Sequence, residues 1–149
     1  MAKSIFRERD RQAIDQRLAA LDPSARPRFG VMTPADMICH LKDSIEVATG
    51  VTPCKRKTTA LANPMLRRLA IYYMPWPKGK VKTAPEMLIT RPAEWAADLQ
   101  RLRDLLSATA ARGVSASWAP HPAFGDISGS DYGVLFYRHF DHHLGQFGA

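Results

Sequence analysis

Apolar residues recur at helical spacing in four long stretches of the chain. In residues 7–21, RERDRQAIDQRLAAL, Ile14, Leu18 and Leu21 share one face and charges fill the rest. In TPADMICHLKDSIEVATG, the residues Met37, Leu41, Ile45 and Ala48 form the stripe. That stretch opens with Thr33 as a cap, Pro34 at the first helical position and Asp36 where a capping-box acid belongs. Gly50 is its natural stop. The third stretch, 92–112, aligns Trp95, Leu99, Leu102 and Leu106 and is followed by Gly113. The last, 129–147, is introduced by SGSD, a cap with an acid three residues on.

The connections are punctuated by proline and glycine. Residues 51–91 form a long link rich in Pro, Lys and Thr. Within it, NPMLRRLAIYYM suits a short helix capped by Asn63, and PWPKGK breaks it. VSASWAPHPAFGDI reads as irregular, and no run alternates convincingly with period two; GVSASW comes nearest. The expected fold is all-α: one domain over 1–149, a four-helix bundle with a long basic connection between its second and third helices.

Composition changes this picture little. The chain is 46% hydrophobic and 23% charged, enough apolar material for a core without staples. No stretch approaches the roughly 20 apolar residues of a membrane span, so no membrane association is expected. MAKSIFRERDRQ has no apolar signal core. Cys39 and Cys54 make no disulfide framework, which points to free thiols and a cytoplasmic location.

Charge changes it more. Of the 21 basic residues, nine lie in 53–91, against the single acid Glu86. The basicity therefore belongs to one segment. Such a segment can attract nucleic acid, an anionic lipid face or a small anionic ligand, or simply keep a loop solvated.

The candidate chemistry is in the histidines. Three of the five occupy RHFDHHLGQFG at 138–148: His139, His142 and His143. On a helix His143 lies about 40° from His139, Gln146 about −20°, Tyr132 about 20° and Phe136 about 60°; His142 falls towards the edge. His139 and His143 can thus converge on one point one turn apart. His40 sits beside the stripe of the second helix, where it can face a neighbour. Three neutral imidazoles from two helices suit a divalent cation, zinc by the usual three-ligand rule, with nickel, iron or cobalt as acceptable occupants. The zincin motif is absent, because Phe140 stands where its glutamate belongs. Packed, hydrogen-bonded core histidines are the alternative.

With HxxxHxxQ near the C-terminus and one earlier histidine after TPADMICHL, the chain resembles the DinB/YfiT-like superfamily. HPAFGDISGSDYGVLFYRHFDHHLGQFG and MPWPKGKVKTAPEM are similar to an uncharacterised bacterial subfamily of it, over roughly residues 31–148. The resemblance implies a four-helix bundle with a three-histidine metal site at His40, His139 and His143. His142 and His121 match no ligand position, and Tyr132 stands where relatives often carry Trp. Characterised relatives include thiol-dependent S-transferases, and many are homodimers.

The chemistry expected is therefore that of a metal-dependent enzyme acting on a small molecule. The metal would lower the pKa of a low-molecular-weight thiol or of water. Asp36 is first a helix cap and second an acceptor for His40; Gln146 would hydrogen-bond a ligand or substrate; Tyr132 and Phe136 would wall the pocket or pack as core. Lys55, Arg56, Arg67, Arg68 and Lys78 are candidates to hold the carboxylates of a peptide-like thiol. Lys55 and Arg56 would also lower the pKa of Cys54, while Cys39 reads as a buried small hydrophobe. A non-catalytic dimeric bundle with a structural or storage metal is the second expectation. Nucleic-acid binding through 53–91 is the third and the least favoured, since that segment has no reading motif.

Overall fold

The computed structural model describes residues 1–80 and 82–149. Five α-helices are present among them: α1 (Glu8–Ala19), α2 (Pro34–Ala48), α3 (Pro64–Tyr72), α4 (Trp95–Arg112) and α5 (Gly129–Gln146). Two short 3-10 turns, Ala60–Ala62 and Pro85–Met87, lie in the connection between α2 and α4. The described residues form no strand, only an isolated bridge between His121 and Gly125. No described helix is long and apolar enough to cross a membrane.

The helix starts are where the short-range signals place them. The Thr33 hydroxyl accepts from the Asp36 N–H and the Asp36 carboxylate accepts from the Thr33 N–H, each at 3.1 Å. Ser128 and Asp131 repeat the exchange at α5. Asn63 caps α3, its Oδ1 accepting from Met65 at 2.9 Å and Leu66 at 3.3 Å. These side chains satisfy donors that a helix start leaves unpaired. α4 begins at Trp95, later than the expected 92. There the Glu94 carboxylate takes the N–H groups of Ala96 and Ala97, which ends the extended approach through Pro92. α1 ends at Ala19, although Leu21 still reaches the core from the turn beyond it.

α2 packs on α4 and α5, α1 packs on α5 and α4, and α3 lies on α5. The shared core takes Ile14 and Leu18 from α1, Met37, Leu41 and Ile45 from α2, Leu102 and Leu106 from α4, and Phe140 and Leu144 from α5. The stripe spacing read from the sequence is what brings these residues inward. The N-terminal segment lies across α5. The Ile5 N–H donates to the Gly133 carbonyl at 3.1 Å, and Phe6 and Ser4 press so close that a Cβ at position 133 would collide with both.

The connection after α2 does more than bridge. Residues 84–90 fold back along α2, where Ala84 and Met87 pack on Val47, with Cys54 beside them. α2 is consequently buried on two faces. One is the apolar stripe; the other carries His40, Asp43 and Ser44, all buried.

Candidate metal centre

His139 and His143 project from successive turns of α5, and His40 meets them from α2. The three ring centroids are 4.8–4.9 Å apart in every pairing. One ligand nitrogen from each ring lies within 4.8 Å of the others, so the three form a group that could hold a metal ion. The nearest approach is between the Nε2 atoms of His40 and His139, at 2.9 Å.

Two of the rings are oriented from behind. His40 Nδ1 lies 3.0 Å from the Met87 carbonyl. A carbonyl only accepts, so the proton is on Nδ1 and the Nε2 lone pair points into the cluster. His143 Nδ1 lies 3.0 Å from Gln146 Oε1. The Gln146 amide cannot be turned the other way, because its Nε2 donates to the Phe29 carbonyl at 2.8 Å. His143 therefore also donates through Nδ1 and keeps its Nε2 lone pair free. At 2.9 Å the His139 Nε2–H can donate to the His40 Nε2; without that proton, three ring nitrogens within 4.8 Å of one another make a donor set that fits a divalent cation.

Both supports are themselves anchored. Gly30, with φ of 72°, follows Phe29 and lies so close that a side chain there would press on the Gln146 amide. Asp43, one turn beyond His40, takes up the segment that carries Met87. Its Oδ2 accepts from the N–H groups of Ile89 and Thr90 at 2.9 Å each, and its Oδ1 accepts from the Thr90 hydroxyl at 2.5 Å.

Burial holds the imidazoles neutral. It lowers the pKa of His40 despite the Met87 carbonyl, and it lowers that of His143 to about 3, with His40 adding to the effect. His139 is shifted well down by burial, then by His143 and His40. Neutral imidazole is the form that ligates a metal.

His139 keeps a partly open edge, with the Trp76 ring beside it. Trp76 stands 5.8 Å from His139 and 5.9 Å from His142, and Phe29 stands 5.1 Å from His142. The Lys78 ammonium lies 5.4 Å over Phe29. Arg138 stacks on Trp76 at 5.4 Å and donates to the carbonyls of Ala70, Ile71 and Met74, which ties the end of α3 to α5.

The other candidates lie outside the cluster, Asp36 as a helix cap and Tyr132 and Phe136 as core, each in one of the roles expected for it. Asp36 is occupied by its cap, and the acceptor on His40 is the Met87 carbonyl. The Tyr132 hydroxyl donates to the Ala119 carbonyl at 2.7 Å, and its ring stacks on Trp118 and Phe136. Tyr132 and Phe136 are core, and Trp76 and Phe29 are the rings at the cluster. Among the basic candidates Arg56 pairs with Asp126, Arg67 donates to the carbonyls of Phe124 and Asp126, and Arg68 stacks on Tyr72. Only Lys78 of these reaches the aromatic rim. The Cys54 thiol moves opposite to expectation: burial and the neighbouring Glu86 push its pKa up to about 11. Cys39 is buried, and burial raises its pKa to about 11 as well. Asp43 and Phe29 carry no motif, and Trp76 and Met87 lie in MPWPKGKVKTAPEM, whose resemblance assigns neither a role at the centre. An acid three residues after a candidate ligand is the one usable signal.

His121 gives a separate pH handle. Its Nδ1 accepts from the N–H groups of Ala123 at 3.1 Å and Phe124 at 3.2 Å, and burial lowers its pKa to about 4. The unfolded chain takes up a proton near the ordinary value of about 6.5 while the folded protein refuses it. Stability from this residue is thus complete above about pH 6.5 and is lost as pH falls towards 4, by at most about 3 kcal/mol. His121→Asn retains an acceptor but cannot titrate. Urea denaturation of this variant between those pH values is expected to show a shallower acid loss than native protein; an identical slope would contradict the assignment.

These observations define an all-helical protein with a three-histidine group able to hold a metal ion. Residues 8–149 match the family model described as protein of unknown function DUF1569, and the chain belongs to that family. No curated protein and no solved structure matches it.

Proposed function

We propose that the chain is a metal-dependent enzyme of the DinB/YfiT-like kind. In this reading α1, α2, α4 and α5 are the four helices of the bundle, and the basic connection crosses between the second and third of them. His40, His139 and His143 hold a divalent transition metal, zinc or nickel, and the protein acts in the cytoplasm on a small molecule. The carrying observation is that one nitrogen from each of His40, His139 and His143 lies within 4.8 Å of the other two, with the Nδ1 positions of His40 and His143 committed elsewhere.

A bound metal lowers the pKa of a thiol or a water, which supports a thiol-dependent S-transfer or a hydrolysis. The chain's own residues do the rest. The Met87 carbonyl and Gln146 hold two rings in the ligating tautomer. Trp76 and Phe29 limit access of water beside His139 and His142, and Lys78 offers a cation for a carboxylate on the thiol. One observation favours the second reading, a structural or storage metal: among the described residues no carboxylate joins the three imidazoles to act as a base.

Elemental analysis of purified protein is expected to find about one zinc or nickel per chain, a three-ligand site being mononuclear. His139→Ala is expected to lose it. Metal retained by that variant would reject the ligand set. Metal-loaded protein is then expected to accelerate transfer of a small thiol to an electrophile; metal without thiol-dependent turnover across a panel would favour the storage reading.

A further inference from the structure

The open side of the metal centre lies at His139, since His40 and His143 are buried. Two segments stand beside it. Residues 75–80 bring Trp76 to His139, and residues 27–32 bring Phe29 to the neighbouring His142. They meet where a Cβ added at Gly79 would lie 3.4 Å from the Gly30 nitrogen. Residues 27–32 are tied to α5: the Arg28 N–H donates to the Gln146 carbonyl at 2.7 Å, and Gln146 Nε2 donates to the Phe29 carbonyl at 2.8 Å. Among the described residues, no backbone hydrogen bond ties 75–80 to α5 or to 27–32. Pro75, Pro77, Lys78, Gly79 and Lys80 are exposed, and only Trp76 between them is partly buried. Its ring, with His139 and His142 near it and Arg138 stacked on it, is what holds 75–80 at the centre.

We propose that residues 75–80 form a hinged strap over the metal centre and that Trp76 is its gate, swinging off His139 to let an ion or a small molecule pass. This rests on the metal-binding reading of the three histidines. The strap has both the stiffness and the bend that such a motion needs. Pro75 and Pro77 have a fixed φ, and a residue before proline is confined to extended conformations, so Met74 to Pro77 move as one stiff arm. Gly79 supplies the bend, its φ of 66° lying in the left-handed region that glycine enters freely. The arm is kept down by one ring and a glycine–glycine approach, contacts that are individually small. A segment with so few buried contacts opens at low free energy, as active-site lids do on the microsecond to millisecond scale. Lys78 travels with the arm. Its ammonium lies over Phe29 in the closed position, so closure is what brings a cation to an anionic ligand at the centre.

Diethyl pyrocarbonate acylates accessible neutral imidazoles, so its rate at His139 in metal-free protein, read by peptide mass spectrometry against His121, reports how often the strap is open. Trp76→Ala and Gly79→Ala are each expected to raise that rate with the helical circular dichroism unchanged. An L-residue at the φ of Gly79 disfavours the closed arm enough for a rise of about 5–30-fold. Gly79 is exposed, so its variant also keeps the test independent of the ring packing around Trp76. In zinc-loaded protein both variants are expected to speed transfer of zinc to a chromogenic chelator and its re-uptake by the same factor. Kd then stays unchanged, because opening a gate lowers the barrier in both directions. His139 labelling at the native rate in both variants would overturn the proposal. So would faster release with a weaker Kd and unaltered uptake, which would make Trp76 a support of the site rather than its gate. Labelling needs no metal: native protein that binds no zinc would refute the metal-binding reading, while the His139 rates would still decide the strap.

Discussion

Asp43→Ala is expected to cost about 3–5 kcal/mol of folding stability and to weaken metal binding by about 10–100-fold. Asp43 is fully buried. Its carboxylate takes the Ile89 and Thr90 N–H groups and the Thr90 hydroxyl, with the Lys42 ammonium 3.6 Å away. Truncation leaves three donors without their acceptor and opens a void in the core, while Lys42 keeps Glu46 at 2.9 Å; donors that lose their partner in a part-buried setting cost free energy. The metal effect follows from the same contacts. Ile89 and Thr90 immediately follow the segment that presents the Met87 carbonyl to His40, so loosening them releases that imidazole from its ligating tautomer. Asp43→Asn keeps an acceptor for both N–H groups and gives the Thr90 hydroxyl a donor, so it is expected to recover most of the stability. Urea denaturation and metal competition read the two effects separately. A stability loss below about 1 kcal/mol in the alanine variant would show that the carboxylate does not hold this segment.

Adding zinc or nickel to chelator-stripped protein is expected to raise Tm on the order of 10 °C. Metal at about 1,000 times its Kd stabilises by about 4 kcal/mol, and each kcal/mol shifts a chain of this length by roughly 2–4 °C. The effect is large because the metal-free protein is built for it. Three imidazoles are kept neutral by burial, with two rings already turned, so little reorganisation or deprotonation opposes binding. His143→Ala is expected to abolish the shift. Gln146→Ala is expected to reduce it while leaving a measurable part, because the ring loses its orienting acceptor but keeps its nitrogen. Stripped native protein whose Tm moves with neither ion would remove the basis for a metal-dependent reading.

Much of the helical layout is legible without coordinates because its signals are short-ranged. Thr33 with Asp36, and Ser128 with Asp131, complete their bonds within one turn, so residue identity and spacing are enough to place both starts. The pairing of His139 with His143 is equally local, being a property of helical pitch. Tyr132 and Phe136 show the limit of that logic. They share the α5 stripe with the histidines, yet the helix is long enough for its first half to serve the core around Trp118 while its second half serves the cluster.

The helices, the apolar faces that bring them together and the two imidazoles one turn apart follow from residue identity and spacing alone. It takes the packing of α2 against α5 to bring His40, distant in sequence, to 2.9 Å from His139, and to leave Asp36 without a part in holding it. The ring's support comes from the main chain of Met87, and a carbonyl exists at every residue, so nothing in the sequence marks the one that will be used. The same holds for Phe29 and Trp76, whose positions depend on how a glycine turn and the end of α3 dock on α5. Capping and pitch act over a few residues through fixed covalent geometry; the centre depends on packing between segments whose separation in sequence carries no spacing rule.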